Sequence, residues 1–171
     1  MKKNIKKIFK KIYKISYKLI NNPNIEWVFY LRYIFHKKLD IKINDFKIRF
    51  STKDIIAKKW FFPRYLNGEP HEPPVTQQLI KEFESDSIFF DIGANIGFFT
   101  ILAQKKCNKG SVHAFEIDPE LVKIINNNTK LNQGAEVFIN CSAITKKTQD
   151  IISFNPQKDN NKSTNSIYDI N

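Results

Sequence analysis

The chain has 171 residues, 42% apolar and 13% aromatic, and a formal charge of +11. That length suffices for one domain with a sizeable core, and the composition excludes a disordered chain. Cys107 and Cys141 lie far apart without a CxxC partner, and His36, His71 and His113 are scattered, so neither a disulfide framework nor a metal site is expected, and the default setting is reducing and cytoplasmic.

The charge is uneven. Residues 1–20 carry eight lysines and no acid, which leaves +3 on the rest of the chain. A balanced domain of this kind does not point to nucleic acid. In the same segment Ile5, Ile8, Phe9, Ile12, Tyr13, Leu19 and Ile20 follow the spacing of one helix face, with lysines mostly on the other. Lysines interrupt every apolar run, which excludes a secretory signal and a membrane span. Two readings stay open: a helix docked on its own domain, or an in-plane helix on an anionic membrane, peripheral at the inner surface. Asn24 to Leu39, which contains the apolar run Trp27 to Phe35, predicts a second helix, with Pro23 near its start.

From Ile41 the period changes to two. Ile41 and Ile43 alternate, Asn44-Asp45 turns the chain, and Phe46, Ile48 and Phe50 alternate again, which predicts a β-hairpin. Residues 51–74 read as a short helix and then an irregular loop rich in Gly and Pro, and Val75 to Phe83 as a helix.

Beyond Ser87 the pattern is α/β. Ile88-Phe89-Phe90 is a continuous apolar run, as expected of a parallel strand buried on both faces. A helix over 98–104, a strand over 111–115, a helix from Asp118-Pro119 to about Leu131 and a strand over 137–139 follow. Strand, helix, strand, helix, strand predicts a right-handed parallel-sheet unit. Asp150 to Phe154 reads as a short edge strand, and Asn155 to Asn171 as a polar loop or tail.

The chemistry concentrates in two places. After the first parallel strand comes Asp91-x-Gly93-Ala94-Asn95-x-Gly97, a strand end, a tight turn and a helix start in sequence. Gly93 removes the Cβ that would block a ligand from the backbone, and Gly97 lets the helix begin close to the strand. The helix start is expected to offer unpaired N–H groups. A G-x-G-x-x-G fingerprint fails here, because Asn95 and Phe98 stand at glycine positions, and no P-loop is present. An acid two residues before the first Gly suits a cationic amine. Glu116 follows 23 residues after Gly93, at the end of the second strand, where a carboxylate can accept both hydroxyls of a ribose. An amino-acid head on Asp91 and a ribose on Glu116 describe S-adenosylmethionine. The plainer alternatives are a helix cap for Asp91 and a solvated acid for Glu116.

Phe89 to Thr100, with Val112 to Pro119, Lys130-Leu131-Asn132, Ala143-Ile144 and the upstream His71-Glu72-Pro73-Pro74, resembles the FkbM-type methyltransferase family over residues 70–155. The resemblance implies a Rossmann-like α/β fold, S-adenosylmethionine as methyl donor, and O-methylation of a sugar, glycan or secondary metabolite. It implies Asp91 near the methionine moiety, Glu116 at the ribose, Cys141, Ser142 and Ala143 near adenine, and Ile117 among the cofactor-binding residues. Such enzymes have a seven-stranded sheet, whereas the pattern here ends after the third strand, so the sheet reads as truncated and no catalytic base can be named. The expected organisation is a basic amphipathic helical region (1–40), a hairpin and helical lead-in (41–86), a partial S-adenosylmethionine-binding domain (87–155) and a polar tail (156–171). The competing reading is an inactive remnant or a membrane-surface binding protein. The exposed strand edge of a cut sheet predicts poor solubility for the isolated chain.

Overall fold

Alternating Ile and Phe with a two-residue turn make the first element described in the computed structural model, which describes residues 38–53, 61, 71–145, 153–155 and 166–168. Strands β1 (Lys38–Ile43) and β2 (Phe46–Ser51) pair antiparallel, Ile41 opposite Ile48, around Asn44-Asp45. The strand starts three residues before the alternation shows itself. Ile41, Ile43, Ile48 and Phe50 are buried, while Asp40 and Arg49 pair on the outside, with Arg49 Nε 2.5 Å and Nη2 3.0 Å from the two carboxylate oxygens. The chain divides into two units, Met1–Lys37 and Lys38–Asn171. Both expected N-terminal helices, and nearly all of the expected helix and loop over 51–74, lie outside the described residues, except that Lys38 and Leu39, expected to end the second helix, are in β1 because they continue the hairpin ladder opposite Ser51 and Phe50.

Helix α1 (Pro73–Glu82) begins two residues earlier than its apolar spacing indicated, because Pro73 and Pro74 fit a first turn. Strand β3 (Ile88–Ile92), helix α2 (Phe98–Lys106), strand β4 (Ser111–Glu116), helix α3 (Pro119–Thr129) and strand β5 (Glu136–Cys141) then alternate. The strands form one parallel sheet in the order β3-β4-β5. This is the expected Rossmann-like α/β arrangement, a three-stranded parallel sheet with flanking helices. Asp118 caps α3 as its sequence indicated, accepting the Glu120 N–H at 2.8 Å.

Both crossover helices pack on one face of β4. Ala103 and Cys107 of the α2 side bury Val112, and Ile125 of α3 buries Ala114. The other face is open: Ile88, Phe90 and Ile92 are 65%, 57% and 64% exposed. This corrects the expectation that β3 is buried on both sides. An apolar run reports that a strand has two apolar faces, not that both are covered. On the open face Phe90, His113 and Phe138 stack across the three strands, centroids 4.9 Å apart at each step.

At the N-terminal end of the sheet the connections lie backbone against backbone. A Cβ on Gly110 would stand 2.0 Å from the Ser87 carbonyl oxygen, and one on Gly134 1.8 Å from that of Gln104. Farther on, Ser153–Asn155 (β6) pairs antiparallel with Ser166–Tyr168 (β7) in a sheet of its own. The segment expected as an edge strand of the parallel sheet is therefore not part of it, and the expected polar tail contains a strand. Three-residue strands are too short to impose a readable period on a polar sequence.

Candidate functional site

Period two in parallel strands sets the site. Asp91 pairs with Ala114 across β3 and β4, and Glu116 follows Ala114 by two residues. Both carboxylates therefore project to the helix-covered face, at the strand ends where open α/β sheets take ligands. Both are buried.

Helix α2 starts at Gly97, which has no side chain to cap it. Asp91 is tied to this helix start: its Oδ2 accepts the hydroxyl of Thr100, the third helical residue. Burial pushes the Asp91 carboxyl above its ordinary range. Hydrogen bonds from the Thr100 side chain and backbone pull it back, and nearby Glu116 pushes it up again.

The loop between them is held at four of its peptides. The Gly93 and Ala94 N–H groups both donate to the Phe115 carbonyl, at 2.9 and 3.0 Å, and Gly97 N–H donates to Ala94 O at 2.8 Å. Asn95, in the left-handed region at φ 53°, donates its N–H to Glu116 Oε2 at 2.8 Å, while Glu116 Oε1 accepts the Asp118 N–H at 3.0 Å. The N–H groups of these four residues are thus paired within the protein, because the turn folds back on the end of β4. Glu116 is a latch on the loop as well as a carboxylate at the strand end. Two N–H donors leave acceptor capacity on its oxygens for hydroxyl groups.

Gly97 sits at φ 83°, and a Cβ there would lie 3.2 Å from Ile125 Cγ2. A close approach it permits is therefore between α2 and α3. A Cβ on Gly93 would meet nothing within 4 Å, so the space before that peptide is open. The other candidates follow strand ends at the same edge. Ser142 N–H donates to Glu116 O at 3.1 Å, Ile117 O accepts the Cys141 thiol at 3.9 Å, and half-buried Ala143 comes next. All nine candidate residues thus lie at the C-terminal edge of the parallel strands.

Sequence reasoning missed Thr100 and Asn128. Asn128 is 2% exposed and donates to the Ile96 carbonyl inside the loop at 3.0 Å. Its signal was visible: it continues the buried stripe of Leu121 and Ile125 at helical spacing. Among the described residues no group of three or more His, Cys, Asp and Glu is placed to hold a metal, and no helix is long and apolar enough to cross a membrane.

No model of a known protein family matches the chain, and no curated protein does. Solved structures match it. Trm5b from Pyrococcus abyssi is 24% identical over 63% of this chain and 29% of its own, with a TM-score of 0.42. TYW2 from M. jannaschii, in complex with AdoMet, is 19% identical over 61% of this chain and 43% of its own, with a TM-score of 0.43. TYW2 from P. horikoshii, in complex with MeSAdo, is 20% identical over 61% and 36%, with a TM-score of 0.39. The chain spans less than half the length of each. The resemblance to FkbM-type enzymes rests on its motifs alone.

Proposed function

We propose that this chain binds S-adenosylmethionine at the C-terminal edge of β3, β4 and β5 and belongs to a methyltransferase. The observation that carries the reading is the register of Asp91 and Glu116, two buried carboxylates on one face flanking an open glycine turn. A carboxyl whose charge is disfavoured by burial gains most from an incoming ammonium group, which suits Asp91 to the amino-acid end. Glu116, fixed by two backbone N–H groups, presents its remaining lone pairs to a ribose diol. Ile117, Ser142 and Ala143 border the position an adenine takes beside that ribose.

When bound, S-adenosylmethionine supplies an electrophilic methyl group. The residues described here hold and orient the donor, and positioning in line is the main requirement of such a transfer. The FkbM-type motifs favour an oxygen acceptor on a sugar, glycan or secondary metabolite. The eight lysines of residues 1–20 favour a secondary reading, in which the chain is a binding protein at an anionic membrane surface. Titration calorimetry with S-adenosylhomocysteine tests the main reading: saturable one-to-one binding supports it, and no heat of binding at millimolar ligand removes it. Vesicle sedimentation at low salt, with and without residues 1–20, tests the secondary one.

A further inference from the structure

We infer that Asn128 is a positioning residue for the loop Gly93–Gly97, joining it to the hairpin β1–β2; its effect on a ligand rests on the reading above. Strand β2 leaves backbone groups of Arg49 and Ser51 facing away from β1. Two side-chain amides one turn apart at the end of α3 serve them as a strand would. Asn132 Oδ1 accepts the Arg49 N–H at 2.9 Å and its Nδ2 donates to the Arg49 carbonyl at 2.8 Å. Asn128 Oδ1 accepts the Ser51 N–H at 2.9 Å. The two residues then differ. The Nδ2 of Asn132 turns back to the Asn128 carbonyl at 2.8 Å, whereas that of Asn128 reaches the Ile96 carbonyl at 3.0 Å.

Ile96 follows Asn95, whose N–H is held by Glu116. The loop is thus pinned from two sides, by Glu116 on β4 and by Asn128 on α3. A planar amide with one acceptor and two donors satisfies both neighbours at once, and a carboxylate of the same shape cannot. Asn132 supplies an internal control, because it grips the same strand without touching the loop.

The test compares Asn128→Asp with Asn132→Asp in the full chain. Each loses its amide donor, so both are expected to melt lower than wild type, and Asn128→Asp the lower of the two because its carboxylate is buried. Only Asn128→Asp should weaken S-adenosylhomocysteine binding, by about tenfold for one stranded carbonyl, and speed hydrogen exchange at the Asn95 amide; Asn132→Asp should stay within about twofold of wild type. Equal affinity losses in the two variants, or unchanged affinity in Asn128→Asp, overturn the positioning role. A wild-type chain that binds no S-adenosylhomocysteine overturns the proposed function instead, and Asn95 exchange then decides the positioning role alone: equal rates in Asn128→Asp and wild type remove it. Should Asn128→Asp fail to fold, Asn128→Ser removes the amide without burying a charge and takes its place in the comparison.

Discussion

Asp91 and Glu116 stand on the same face of adjacent parallel strands, offset by two residues, because Asp91 pairs with Ala114. Proximity raises the cost of charging Asp91 beyond what burial already imposes. Under the proposed function, the ammonium group of the ligand would relieve that cost.

The first prediction separates stability from binding. The raised Asp91 pKa means that the folded state prefers the protonated form. Stability is therefore fullest below the unfolded value near 3.8 and falls as pH rises from there through the raised folded value. Asp91→Asn is expected to melt no lower than wild type at pH 7, with any gain shrinking toward pH 3. The same variant should lose at least about tenfold in S-adenosylhomocysteine affinity, the scale of a charged hydrogen bond. Paired thermal scans and calorimetry check both halves, and a variant that binds normally would remove Asp91 from the site.

Glu116→Gln keeps the shape and turns one acceptor into a donor. Either Asn95 or Asp118 then loses its N–H partner. A stranded buried donor costs about 1–3 kcal/mol, which urea denaturation resolves. A stability equal to wild type would show that the latch is dispensable.

Gly97→Ala should destabilise by about 1–3 kcal/mol, from the left-handed backbone and from the contact with Ile125. The two causes separate in a double variant. Ile125→Val removes one methyl group near the contact and should recover part of the loss, while the backbone share persists. Complete recovery would assign the whole effect to packing.

Arg49, and after it Lys47, hold the Asp40 carboxyl down to about 2. Its contribution to stability is present above 3.8 and is lost as pH falls through about 2. The pair is more than a third exposed, so solvent screening keeps the effect small. Asp40→Asn should melt slightly lower than wild type at pH 6, with the difference narrowing as pH falls through about 2. A difference that does not narrow over that range would point to the side-chain geometry rather than the charge.

The open face gives a prediction about solubility. Ile88 is 65% exposed, so Ile88→Lys should leave the melting temperature nearly unchanged and raise the concentration at which the chain aggregates. Light scattering against concentration reads this directly, and unchanged aggregation would absolve the face.

How legible all this was depended on period. The hairpin announced itself because Ile41 and Ile43 alternate, and the helix after β4 because Asp118-Pro119 opens it. The carboxylates were legible because a strand end places a side chain by parity alone. Three things were not. The exposure of Phe90 depends on which elements lie over it, which no local pattern encodes. The hydrogen bonds of the loop depend on how the turn folds against Phe115. The role of Asn128 depends on a hairpin 77 residues away in sequence, although a polar residue in a buried stripe marks it for attention.

The seating of Gly110 and Gly134 has a consequence for how such a molecule can diverge. Any side chain at either position would collide with main chain, which cannot swing aside as a flexible side chain can. Those two positions at that end of the sheet consequently admit glycine alone without a shift of the main chain. The turns at the opposite end carry no such veto beyond the glycine turn itself. New recognition can be written into that rim, one loop at a time, on a foundation that does not change.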